Sequence, residues 1–86
     1  MSQDIRICFV GDSFVNGTGD EAALGWAGRL CAAAQAKGLS ITYYNLGIRR
    51  NTSRDILQRW EEECTQRLPE SLASVDCRVV FSFAVN

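Results

Sequence analysis

Apolar and polar positions along the 86 residues follow two alternating periods. Three short runs rich in β-branched and aromatic residues, Ile5–Val10, Ile41–Leu46 and Cys77–Phe83, read as strands. Between the first two, Leu24, Ala27, Leu30, Cys31 and Ala34 recur at i, i+3, i+4 spacing, which predicts a helix over Leu24–Lys37 that stops at Gly38. Between the second and third, Ile56, Leu57, Trp60, Cys64 and Leu68 share one helical face. Arg54, Gln58, Glu61 and Glu62 take the other, and Pro69 ends the helix. Thr52 with Asp55 three residues on resembles a capping box at its start.

The order is therefore β-α-β-α-β, an α/β pattern. Parallel strands joined by helical crossovers are nearly always connected right-handed, so all three strands point the same way. Their carboxyl ends then share one rim, where open α/β sheets place ligands. That rim carries Gly11-Asp12-Ser13 after the first strand, Asn45-Leu46-Gly47 at the end of the second, and Ala84-Val85-Asn86 after the third.

A hydroxyl, a glycine amide and a carboxamide on one rim suit acyl transfer. Ser13 supplies a nucleophilic oxygen. The N–H groups of Ser13 and Gly47 and the Asn86 side chain are candidate donors to a developing oxyanion. Gly11 turns the backbone ahead of the serine, and Asp12 beside it reads as a turn-forming hydrogen-bond partner rather than a triad acid.

These blocks resemble the N-terminal part of the SGNH (GDSL-type) hydrolases, and the resemblance runs over essentially the whole chain. Val10-Gly11-Asp12-Ser13-Phe14 is similar to the family's nucleophile block, with Phe14 in place of leucine. Asn45-Leu46-Gly47 is similar to its second block. Val79 to Asn86 is similar to the strand that ends in G-x-N-D, with Ala84 in place of glycine. The resemblance implies a three-layer, flavodoxin-like parallel sheet, of which residues 1–86 are an N-terminal fragment of a single domain. It also implies Ser13 as nucleophile, Gly47 and Asn86 in the oxyanion hole, small ester substrates and no cofactor. The family's D-x-x-H block has no match, and the chain has no histidine. An unassisted serine is a weak nucleophile, so the 86 residues alone are expected to be inactive.

Composition narrows the remaining choices. With 47% hydrophobic residues, 22% charged residues and a net charge of −1, the chain is an ordinary globular sequence, which argues against nucleic acid as a partner. No apolar run approaches a membrane span, and the N-terminus has no signal-peptide pattern, so a cytoplasmic location is expected. The four cysteines, Cys8, Cys31, Cys64 and Cys77, lack paired C-x-x-C spacing, which argues against a metal site. Cys8, Cys31 and Cys64 read as small buried hydrophobes. Trp26 and Trp60 fall at core-facing helical positions, and Arg49 and Arg50 read as a solvated pair.

Two rival readings stand beside the esterase. The outer edge of the third strand could make this a non-catalytic α/β protein that assembles into a homo-oligomer through its sheet edge. The glycines of Asn16-Gly17-Thr18-Gly19 could cradle a phosphate, although neither the G-x-G-x-x-G spacing nor a nearby lysine is present.

Overall fold

The computed structural model describes residues 4–22, 24–68 and 75–83. Within them the chain runs β1 (Asp4–Gly11), α1 (Ser13–Asn16), α2 (Gly25–Ala36), β2 (Ser40–Gly47), α3 (Ser53–Arg67) and β3 (Val75–Ser82). The sheet is parallel throughout, in the order β2-β1-β3. This is the expected β-α-β-α-β pattern with one added element, the single helical turn α1.

The central place of β1 explains its composition. Ladders on both sides satisfy its backbone, and helices cover both of its faces, so it reads as a near-continuous apolar run. Cys8 and Val10 face α3 and pack with Leu46, Ile56 and Cys64. Phe9 faces α2 and packs with Val15, Ala27 and Cys31. Phe9, Val10 and Val15 are almost wholly buried, and burial of such side chains stabilises the fold by about 1.5–3 kcal/mol each. The sheet is thus the middle of three layers.

Local signals set the helix ends. Thr52 accepts from the Asp55 N–H at 3.3 Å while the Asp55 carboxylate accepts from the Thr52 N–H at 2.9 Å, completing the capping box at α3. At the end of α2, the Gly38 N–H donates to Gln35 O at 3.0 Å and the Leu39 N–H to Ala34 O at 3.3 Å. These bonds satisfy carbonyls that the helix leaves open.

Three expected core positions are exposed. The buried stripe of α2 is Gly25, Ala27, Gly28 and Cys31, all small. A Cβ on Gly28 would meet the Tyr43 hydroxyl oxygen at 3.0 Å, so the helix lies close to the sheet. That close seating leaves Leu30 exposed and Trp26 more than a third exposed, with the Trp26 ring set edge-on to Phe9 at 5.4 Å. On α3, Ile56 and Cys64 are buried, but Leu57 is 73% exposed. It stands over the β3 margin, where the described residues supply no fourth strand to cover it.

Cys8, Cys31 and Cys64 are buried as expected, and Cys77 is exposed. Desolvation pushes the Cys8 thiol up to about 12 and raises Cys31 and Cys64 as well, so these three are neutral packing groups at neutral pH. Among the described residues, no group of three or more histidine, cysteine, aspartate or glutamate side chains could hold a metal ion. No helix among them is long and apolar enough to cross a membrane.

Candidate active site

At the carboxyl edge of the sheet, Gly47, Gly11 and Ser82 lie side by side in register. The chain leaves Gly11, passes through the buried Asp12 and enters α1 at Ser13, which is half-buried. The loop thus presents the serine at the outlet of the central strand. Asn86 lies outside the described residues.

Close backbone approach is what the two rim glycines provide. A Cβ on Gly11 would collide with Ser82 O and come within 2.5 Å of Val15 Cγ2. A Cβ on Gly47 would collide with the Asn16 N–H and lie 2.8 Å from Asp12 O. Both glycines are therefore required by the seating of the serine turn on the sheet ends.

The turn is held by a hydrogen-bond network. The Asn16 N–H donates to Asp12 O at 3.0 Å, and the Gly17 and Thr18 N–H groups both donate to Ser13 O at 3.1 Å. Asn16 Nδ2 donates to Gly47 O at 3.0 Å. Asn45 Nδ2 donates to Val15 O at 2.7 Å, while Asn45 Oδ1 accepts from the Gly47 N–H at 3.0 Å. From the other face, Arg59 Nη2 donates to Gly11 O at 3.0 Å, its Nε to Asn51 Oδ1 at 2.7 Å, and its Nη1 to Glu63 Oε2 at 2.6 Å. Asn16, Asn45 and Arg59 thus fasten the serine turn to the ends of β1 and β2. Their partners are too distant along the chain for spacing to reveal. Only the Asn45-Leu46-Gly47 block hinted at one of them.

Two details refine the expected roles. The Gly47 N–H is directed to Asn45 Oδ1, so it can serve an oxyanion only by sharing or leaving that bond. Next to it, the Asn51 N–H donates to Ile48 O at 3.1 Å, closing a four-residue turn whose third member, Arg50, has φ of 67°. That left-handed conformation favours glycine, and Arg50 adopts it with its side chain exposed.

The glycine-rich stretch after α1 does not form an open anion cradle. The Asp20 carboxylate accepts from the Gly25 N–H at 2.7 Å, from the Ala22 N–H at 3.0 Å and from Arg29 Nη2 at 2.6 Å. A built-in carboxylate thus occupies the donors at the start of α2 that a phosphate would need. Arg29 holds this carboxyl far below the usual carboxylate range, with the two N–H groups contributing.

No family model matches the chain, and neither does any curated protein. Among solved structures, a mutant of the esterase AlinE4 superposes on 93% of this chain with a TM-score of 0.66 at 21% sequence identity. This chain spans 42% of the length of that one. The three-stranded parallel sheet with its flanking helices thus has the fold of part of an esterase.

Proposed function

We propose that this chain is the nucleophile-bearing part of a carboxylic ester hydrolase of the SGNH (GDSL) type, with Ser13 as the nucleophile. The observation that carries the reading is the seating of Ser13 at the outlet of the central strand, with its turn fastened to both Gly11 and Gly47. The likeness to an esterase fold supports it.

In this reading Ser13 Oγ adds to the carbonyl carbon of a small ester and its proton passes to a base. The tetrahedral oxyanion collapses with loss of the alcohol, and water then releases the acid from Ser13. The oxyanion donors are the Ser13 N–H, the Gly47 N–H once Asn45 shares it, and the Asn86 carboxamide. The sequence has no histidine, so the base that takes the Ser13 proton, and the carboxylate that orients it, come from outside these residues.

Labelling with a fluorophosphonate in the presence of imidazole, which stands in for the missing base, tests the nucleophile directly. Peptide mass spectrometry is expected to find imidazole-dependent modification at Ser13 and none in Ser13→Ala. Equal modification of Ser13 and the other serines would overturn the assignment.

A further inference from the structure

The connection between β2 and α3 carries two exposed arginines beside the serine turn. Ile48 docks this connection on the outlet of β1, its N–H donating to Gly11 O at 3.1 Å. Arg49 and Arg50 follow it, both exposed. Gly11 stands two residues before Ser13, so the pair shares a rim with the proposed nucleophile. Arg59 braces the connection from α3, through Asn51 Oδ1 and Gly11 O. β1 separates β2 from β3, so strands added beyond β3 would leave this side of the rim in place.

Two observations set the pair apart from ordinary surface charge. The first is pairing. Arg6, Arg29, Arg59 and Arg78 each hold a carboxylate. Among the described residues no hydrogen bond or ion pair engages the side chain of Arg49 or Arg50. Asp55, the nearest acidic residue along the chain, is taken up by Thr52 in the capping box. The second is backbone strain. Arg50 has φ of 67° at the turn that the Asn51 N–H closes on Ile48 O. Glycine takes that conformation freely, whereas a residue with a side chain does so at a cost. Strained positions of this kind gather at ligand-binding sites, and here the cost is borne by a residue that brings a guanidinium to the rim.

We propose that Arg49 and Arg50 bind an anionic group of the substrate, so that the ester attacked by Ser13 also carries a carboxylate or a phosphate. This substrate class rests on the esterase reading given above. A guanidinium presents its N–H groups as a planar fork that matches either anion. A substrate held by its anion at the arginines and by its carbonyl at the Ser13 turn is fixed at two points on one rim. Such fixing lowers the entropic cost of attack. A neutral ester gains only the second point.

Amide chemical-shift titrations of the chain with three small esters test it. Two are anionic, monomethyl succinate and 2-acetoxyethyl phosphate, and one is neutral, dimethyl succinate. At low salt the better anionic ester is expected to bind about tenfold more tightly than the neutral one, as a few charge-assisted contacts at an exposed site allow. Its shifts should fall together on Ile48–Asn51 and on Ser13–Asn16, and its identity names the anion. Salt at about 1 M, where the screening length is about 3 Å, should erase the preference. Arg50→Gly combined with Arg49→Gln should bring the anionic and neutral esters to parity. Because glycine relieves the left-handed strain, the variant's spectrum should remain that of the folded chain. Equal binding of all three esters by the parent chain would overturn the proposal, as would a preference that persists in the double variant or shifts confined to other arginines. Fluorophosphonate labelling separates the two readings. Labelled Ser13 without charge preference strikes the substrate class alone. Anion binding at the arginines with no labelling of Ser13 strikes the esterase reading and the substrate class with it.

Discussion

Arg59 Nη2 donates to the carbonyl oxygen of Gly11 at 3.0 Å, joining the second turn of α3 to a residue 48 positions earlier in the chain. Gly11 is the last residue of β1 and stands two before Ser13, so this bond fixes the outlet of the strand from which the serine turn departs. The same guanidinium reaches Asn51 ahead of α3 and Glu63 within it. One side chain, only 16% exposed, therefore ties the first strand, the β2–α3 connection and the helix together.

Arg59→Ala is expected to be the most destabilising of the polar substitutions at this edge. It removes charge-assisted bonds to the Gly11 carbonyl, the Asn51 side chain and Glu63, while the Gly11 carbonyl keeps its bond from the Ile48 N–H at 3.1 Å. A hydrogen bond to a charged group contributes about 1.5–3 kcal/mol, and a loss in that range is expected in urea unfolding. Arg59→Lys keeps the charge but cannot make three divergent bonds, so it should recover less than half of the loss. Wild-type stability in the alanine variant would show that the network is ornamental.

Gly47→Ala tests whether backbone approach holds the serine turn on the sheet. The added methyl would meet Asn16 and Asp12 main-chain atoms rather than a flexible side chain, so it cannot be relieved by a rotamer change. Overpacking of this kind costs about 1–3 kcal/mol, and here the upper end is expected, because either α1 or the end of β2 must move. The measurement is the shift in urea midpoint together with amide exchange at Asn16, whose N–H bond to Asp12 O should loosen. An unchanged midpoint would mean that the turn has more freedom than its contacts imply.

How much of this was legible depends on whether a feature is local. The strands, the capping box of Thr52 and Asp55, and the rim position of Gly11, Ser13 and Gly47 follow from short-range pattern and from the handedness of crossovers. Leu57 reads as a core residue because a helical stripe records which face is apolar, not how many strands lie beneath it. Leu30 fails for a related reason. The small face of α2 lets the helix approach the sheet, and that seating displaces the larger neighbour. Arg59 and Asn45 act on carbonyls 48 and 30 residues away, and no spacing rule reaches that far. The left-handed Arg50 is equally silent, since arginine carries no turn signal.

Arg50→Gly is expected to be neutral to stabilising, which is unusual for a substitution that deletes a whole side chain. A left-handed non-glycine residue costs about 1–2 kcal/mol. Glycine offsets about 0.4–1 kcal/mol of that relief by widening the unfolded ensemble. The balance favours the variant by between about 0 and 1.6 kcal/mol, readable as a small rise in urea midpoint. Arg50 is exposed, and no hydrogen bond or ion pair of its side chain opposes the change among the described contacts. A clear loss of stability would mean that the Arg50 guanidinium itself holds the loop.

Acid should weaken the anchoring of α2 through Asp20. Arg29 is the main cause of the lowered Asp20 pKa, with the Ala22 and Gly25 N–H groups adding to it. The folded chain therefore binds a proton at this carboxyl less readily than the unfolded chain does. The stabilisation is complete above the unfolded value of about 3.9 and is lost as pH falls through the folded one, so stability rises with pH across this window. Asp55 and Asp76 are lowered in the same sense, by Thr52 and Arg78 respectively, and contribute to the same slope. Melting temperature is thus expected to be lower at pH 3 than at pH 7. Asp20→Asn should reduce the value at pH 7 and narrow the gap between the two pH values without abolishing it, because the other two carboxylates remain. A gap as wide in the variant as in the parent chain would show that Asp20 does not couple the start of α2 to the protonation of the fold.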